Sequence, residues 1–333
     1  MFLIFDPIYY MLAMLGYFVM FLLASTIAPK VASRVSGKFS LYTSMALLAF
    51  LILFVSFSII YLVLVVVGVR VSIVSLIAFL IALNLLMYLV SPFMINLSYS
   101  AKHDEYLQSI VDEVAYRLGV KPPKAMIVDC PPNAFAYGNF LTGRFVAVSR
   151  ALLEILDRDE LEAVIGHEIG HHKHKDNAVM LVFGLLPSII FYLGYSLIYS
   201  SFDDDRRGNQ LALIGIAVVI VSFVIQILVL AFSRLREYYA DVEGVIAAGK
   251  DAMQRSLAKI HLFYQRYPSF MGEIANSKFR TLFIYALVNA VANPLTRMEI
   301  ERLKSMPVSP IEEFLSTHPP IPKRLRFIES VRI

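Results

Sequence analysis

The stretch His167-Glu168-Ile169-Gly170-His171 holds the clearest chemistry in the sequence. Histidines at i and i+4 of a helix stand on one face about 40° apart, close enough to grip one metal ion. Neutral imidazole suits zinc, and a catalytic zinc keeps only three protein ligands, so that water takes the fourth position with its pKa lowered to about 7. Glu168, beside the first histidine, is placed to take a proton from that water and pass it to a leaving amine. The chemistry anticipated is peptide-bond hydrolysis with one zinc ion per chain. His172 and His174 are rotated away from the pair and read as solvated helix-end histidines beside Lys173 and Lys175.

A third ligand has to come from elsewhere in the chain. In Ser233-Arg234-Leu235-Arg236-Glu237-Tyr238-Tyr239-Ala240-Asp241, Glu237 and Asp241 share a helix face. One carboxylate can then bind the metal while the other orients a ligand imidazole. Both can equally be surface acids pairing with Arg234 or Arg236, and the residues by themselves leave this open.

The elements that position these groups follow from periodicity and breakers. Asp157 with Glu160 three residues on has the form of a capping box and starts the helix that carries the two histidines toward Lys173. Upstream, Leu107, Ile110, Val111, Val114 and Leu118 mark an amphipathic helix from about Asp104, ended by Gly119. Three β-rich stretches, Ala125 to Val128, Asn133 to Tyr137 and Phe145 to Ser149, predict a small sheet. Downstream, Ser233 to Ala248 reads as a helix stopped by Gly249, followed by a helix over Asp251 to Tyr264 and a last one over Pro322 to Glu329.

Of the 333 residues, 58% are hydrophobic, more than a soluble core requires. Five stretches lack any ionisable side chain over the length needed to cross a bilayer: Pro7 to Ala28, Ser44 to Val69, Val71 to about Asn96, Ala178 to Ser200, and Leu211 to Phe232. With Asp6 and no basic residue before it, the first reads as a retained anchor and not a signal peptide. The stretch Thr281 to Ala292 is too short to span and reads as a buried or interfacial helix. Lys30, Arg34 and Lys38 mark the linker between the first two spans as cytoplasmic, and the acidic turn at Asp203, Asp204 and Asp205 as external. Both polar regions then face the cytoplasm. A net charge of +4 without a run of Lys and Arg excludes a nucleic-acid partner. A single cysteine, Cys130, excludes a disulfide framework and a cysteine-rich zinc module.

The expected fold is thus a mainly α membrane protein, with transmembrane helices and an α+β zincin-like cytoplasmic protease domain. Residues 1–100 would form the N-terminal membrane region, 101–177 the first half of the protease domain, 178–232 a transmembrane hairpin, and 233–333 the second half.

Four ordered motifs make the chain resemble the HtpX-type membrane zinc metalloproteases, and more distantly the prenyl-protein processing endopeptidases of the same clan. They are Asn133-Ala134-Phe135-Ala136-Tyr137-Gly138, the stretch Val146 to Asp176 around the two histidines, Ser233 to Asp241, and Thr317-His318-Pro319-Pro320 followed by Arg324. The resemblance, from about Pro122 to the C-terminus, implies that Glu237 is the third zinc ligand and Asp241 its companion. It also implies a multi-pass protein of the cell membrane that cleaves misfolded or damaged membrane proteins. Three apolar spans before the protease core, where the family leads one to expect two, are a departure.

Two further roles are expected. Asn133, Ala134, Phe135 and Ala136 should lie on an exposed sheet edge that takes up substrate as an added strand. His318 should donate a hydrogen bond to the oxyanion that develops on the attacked carbonyl, with Arg324 anchoring its segment against an acid near the site. The alternative for His318 is to cap the C-terminal helix. Competing functions are a narrow processing protease of the prenyl-peptide type, a silent zinc scaffold and a transporter. Spans without ionisable side chains speak against the transporter, and Glu168 speaks against the scaffold.

Overall fold

The computed structural model describes residues 71–202, 208–267, 297–308 and 318–332, with isolated positions 52 and 55. The first span, nearly all of the second, the basic linker, the break at Arg70, the Asp203–Asp205 turn, the stretch Thr281 to Ala292 and Thr317 lie outside the described residues.

In chain order the described elements are helix α1 (Val71–Ser98), strand β1 (Lys102–His103), α2 (Glu105–Arg117), β2 (Lys124–Val128), β3 (Ala134–Asn139), β4 (Gly143–Ser149) and α3 (Arg150–Ile155). Helices α4 (Arg158–Lys173), α5 (Asp176–Ser200), α6 (Gly208–Ala248), α7 (Lys250–Arg266), α8 (Arg297–Ser305) and α9 (Ile321–Ser330) follow. Stretches of α1, α5 and α6 are long and apolar enough to cross a membrane: Leu80–Ser98, Asp176–Ser200 and Asn209–Ala248. One expectation is corrected here. The helix foreseen over Ser233 to Ala248 is not a separate element but the end of α6, a single helix of 41 residues. The change from apolar to charged residues after Phe232 alters what surrounds the helix, but no proline there interrupts its hydrogen bonding.

The chain divides into two compact units, Met1–Leu86 with Met180–Phe232, and Met87–Val179 with Ser233–Ile333. In the first, α5 and α6 approach closely at Gly194 and Gly215, where a Cβ on Gly215 would stand 2.7 Å from the Gly194 carbonyl oxygen. Phe183 packs edge-on against Phe232 in the same helix pair.

The second unit is built on a mixed sheet in the order β1-β2-β4-β3. β2 and β4 are parallel, while β1 pairs antiparallel with β2 and β3 with β4. Alternation of side chains across a strand sorts this sheet into two faces. Ala125, Ala134, Val146 and Val148 join the core formed with α2, α4, α7 and α9, around Leu107, Val111, Val164, Leu257 and Leu325. Met126, Phe135, Tyr137, Phe145 and Ala147 turn the other way and pack with Ile95 of α1. Sequence reading did not foresee β1 or α3. Two residues are too few for a periodic signal, and α3 starts on Ser149, whose hydroxyl caps it by accepting from Leu152 N–H.

Candidate metal centre

Helix α4 is fixed at its start by the capping box. The Asp157 N–H donates to Glu160 Oε2 at 3.0 Å. Glu160 is fully buried and ties the helix to α7, with Lys259 Nζ at 2.6 Å and Arg255 Nε at 3.0 Å. Lower on α4, Gly166 and Gly170 press against Ala240, Glu243, Gly244 and Ala247 of α6. A Cβ at Gly166 would stand 2.4 Å from the Ala247 Cβ, so the crossing needs hydrogen at that position. This close approach brings Glu237, one turn before Ala240, to the two histidines.

Ligand atoms of His167, His171 and Glu237 all lie within 4.8 Å of one another. The His167 Nε2 is 3.6 Å from one Glu237 oxygen and the His171 Nε2 3.7 Å from the other. The two rings stand perpendicular, 4.9 Å apart. Each presents Nε2 because its Nδ1 is held by a carboxylate, Asp241 Oδ1 at 3.0 Å for His167 and Asp176 Oδ2 at 2.6 Å for His171. Both carboxylates are in turn paired with an arginine. Arg324 Nε donates to Asp241 Oδ2 at 2.9 Å, and Arg236 Nε lies 2.9 Å from Asp176 Oδ2. Arg324 and Asp241 are fully buried.

Asp176 and Arg236 were missed by sequence reasoning. Their signal was present, since Asp176 is the sole acid between the histidines and the apolar run after it. It meets His171 across the short turn between the two helices, where Lys175 adopts a left-handed backbone, φ +56°.

Glu168 is buried, and its carboxyl is raised above its usual range by desolvation, against which the two imidazoles and a hydrogen bond from the Ala136 backbone act. His318 sits with Nδ1 2.8 Å from Glu237 Oε2. It does not cap the last helix, whose N-cap is Pro320. His172 is not solvated, and His174 is only partly so. His172 is buried, with Nε2 2.8 Å from the Phe145 carbonyl, and burial pushes its pKa down to about 4. His174 Nε2 lies 3.2 Å from Glu243 Oε1, and its ring meets Tyr239 edge-on. The helix end lies against β4 and α6, which its charged composition did not suggest.

The expected substrate edge is corrected in part. β3 does end the sheet, but Asn133, Ala134, Phe135, Ala136 and Tyr137 are buried where an exposed edge was expected. Asn133 is occupied at its backbone, its N–H donating to Ser149 Oγ at 2.9 Å and its carbonyl accepting from Ser149 N–H at 2.9 Å. With odd-numbered residues pairing toward β4, Ala134 and Ala136 direct their N–H and C=O groups to the other side.

The donor set fits zinc. Two neutral imidazole nitrogens and a carboxylate oxygen are one of the ligand sets of a catalytic zinc, and tetrahedral bonds of about 2.0–2.2 Å put such atoms about 3.3 Å apart, a spacing that the atoms found here, all within 4.8 Å of one another, can close to.

Comparison with known proteins bears on this centre directly. Residues 101–332 match the pattern of peptidase family M48. The chain is 72% identical over 329 residues to a Protease HtpX homolog of Archaeoglobus fulgidus, covering 99% of this chain and 98% of that one. It is 55% identical to a Protease HtpX homolog of Pyrobaculum aerophilum over the whole of both chains. The crystal structure of S. mikatae Ste24p is similar in fold, with a TM-score of 0.51 at 19% identity. That likeness covers 82% of this chain, which spans 62% of the length of the Ste24p chain. Because the matched stretch runs from the sheet to the last helix and takes in every residue of the centre, the chain belongs to peptidase family M48, as a membrane protease of the HtpX type.

Proposed function

We propose that this protease is a zinc-dependent endopeptidase of the cell membrane, with its active site facing the cytoplasm and damaged or misfolded membrane proteins as substrates. The observation that carries the reading is the convergence of His167 Nε2, His171 Nε2 and a Glu237 oxygen, with Glu168 buried beside them. A zinc ion bound there supplies Lewis-acid chemistry, polarising a carbonyl and lowering the pKa of a water to about 7. His167, His171 and Glu237 hold it, and Asp241 and Asp176 keep both imidazoles in the tautomer that leaves Nε2 for the metal.

Glu168 acts as the general base. Burial raises its proton affinity toward the working pH, and the Ala136 N–H aims the carboxylate. It takes a proton from the attacking water and delivers it to the leaving amine. A substrate strand runs along β3, bonding to the backbone of Ala134 and to the Ala136 carbonyl, a mode that binds many sequences. His318 serves as the donor to the oxyanion, a role that its place beside Glu237 supports, and Arg324 anchors its segment through Asp241. Residues 1–100 and 178–232 serve as the membrane regions, and 101–177 and 233–333 as the two halves of the protease. The basic linker at Lys30, Arg34 and Lys38 supports the cytoplasmic orientation.

Detergent-purified protein tests the reading when incubated with an unfolded protein. Cleavage should stop with a chelator and return with added zinc, and cleavage indifferent to a chelator would contradict it.

A further inference from the structure

The β3–β4 hairpin turns through Phe140-Leu141-Thr142, two large apolar residues at a position that turns ordinarily give to polar ones. Phe140 is 73% and Leu141 68% exposed. The turn is nonetheless tightly built. A Cβ at Gly138 would stand 2.1 Å from the Gly143 carbonyl oxygen, so the strands close as nearly as they can. Asn139, buried, holds the tip from both ends of its amide. Its Oδ1 accepts from the N–H of Leu141 and of Thr142, each at 2.9 Å, and from Thr142 Oγ1 at 3.2 Å. Its Nδ2 donates to the carbonyls of Tyr88 at 3.0 Å and Leu89 at 3.1 Å in α1.

The Tyr88 carbonyl needs a partner because of Pro92. It has no N–H to return to Tyr88, four residues back, and its ring crowds that turn of the helix. Ser91 Oγ also donates to the Tyr88 carbonyl, at 2.9 Å. The Leu141 and Thr142 N–H groups, the Thr142 hydroxyl and the carbonyls of Tyr88 and Leu89 are therefore paired within the protein, while the Phe140 and Leu141 side chains are exposed. Hydrocarbon imposes that condition, since it offers no partner to a bare N–H or C=O, and water does not.

The place of the hairpin along α1 gives its depth. Tyr137 Oη donates to Asn96 Oδ1 near the end of α1, and Asn139 meets Tyr88 and Leu89 farther in, so the hairpin runs along the helix toward its middle. At 1.5 Å per residue Tyr88 lies about 15 Å from Ser98, comparable to half of a hydrocarbon core about 30 Å thick. Around that level the apolar helix exposes Met87, Phe93, Met94 and Leu97. Arg144, exposed on the returning strand, is long enough to reach back toward headgroups.

We propose that the tip of the β3–β4 hairpin is inserted in the bilayer beside α1, with Phe140 and Leu141 among the acyl chains. Strand β3, which forms one side of the metal centre through Ala136 and Glu168, is then anchored in the membrane at its far end.

The chain contains no tryptophan, so Phe140→Trp makes a single-tryptophan protein. The full-length variant, reconstituted in phosphatidylcholine and phosphatidylglycerol vesicles, should emit to the blue of a water-exposed indole. It should lose most of that emission when the lipids carry bromine on their acyl chains, and little to acrylamide in the water phase. Leu141→Trp gives the same readout should the first variant fail to fold. Emission at the wavelength of exposed tryptophan, quenched by acrylamide and indifferent to brominated lipid, would overturn the proposal. Blue-shifted emission indifferent to brominated lipid would also overturn it, because protein would then cover the tip.

Discussion

Each imidazole of the metal centre is held by a carboxylate that is itself held by an arginine, and the two sets differ in how far the sequence reveals them. Asp241 stands one helical turn after Glu237, so that shared face was legible from spacing. Asp176 depends on a left-handed residue at Lys175, which periodicity does not announce. Away from the centre, His261 is buried on α7 and desolvation pushes its imidazole down to about 4. The unfolded chain takes up this proton near pH 6.5 and the folded chain only near 4. Its contribution to stability is therefore complete above about 6.5 and is lost as pH falls from there toward 4, by up to about 3 kcal/mol. The melting temperature followed over this range should fall less steeply in His261→Gln, and identical slopes would show that the two states share one affinity for the proton.

Elements bring the ligands together through the crossing of α4 and α6. The helices themselves were largely readable, from the capping box at Asp157 and the break at Gly249. That Gly166 and Gly170 fit against Ala240, Gly244 and Ala247 was not, because a glycine in a helix looks the same whether it meets solvent or a neighbouring backbone. Gly166→Ala should push the helices apart, cost about 1–3 kcal/mol and weaken metal retention by drawing Glu237 away. Gly184, with nothing within 4 Å of its added Cβ, is the comparison. Gly184→Ala should leave stability equal or raised by up to about 1 kcal/mol. Calorimetry with metal analysis checks both, and equal behaviour of the two variants would mean that the crossing is loose.

At the scale of the whole molecule, residues far apart in the sequence complete one centre, with His318 and Arg324 of the C-terminal segment reaching residues of α4 and α6. Arg324→Met takes away the one cation that neutralises the buried Asp241, leaving it only the His167 imidazole, and should cost about 3 kcal/mol. Adding Asp241→Asn should recover most of that stability, while metal affinity stays about 10- to 100-fold reduced because His167 has lost its carboxylate. Strictly additive losses in thermal unfolding would show that the two residues do not act as a pair. The apolar runs made membrane spans legible from composition, whereas the continuity of α6 from apolar to charged residues emerged only from the structure. The central claim is that Glu168 moves the proton while the two histidines and Glu237 hold the metal. Glu168→Gln preserves size and removes the base, so zinc content and proteolysis measured on the same purified sample test it most directly. One zinc per chain with cleavage lost by a factor of about 10² or more is the result expected. Cleavage at the wild-type rate in a zinc-loaded Glu168→Gln protein would contradict it.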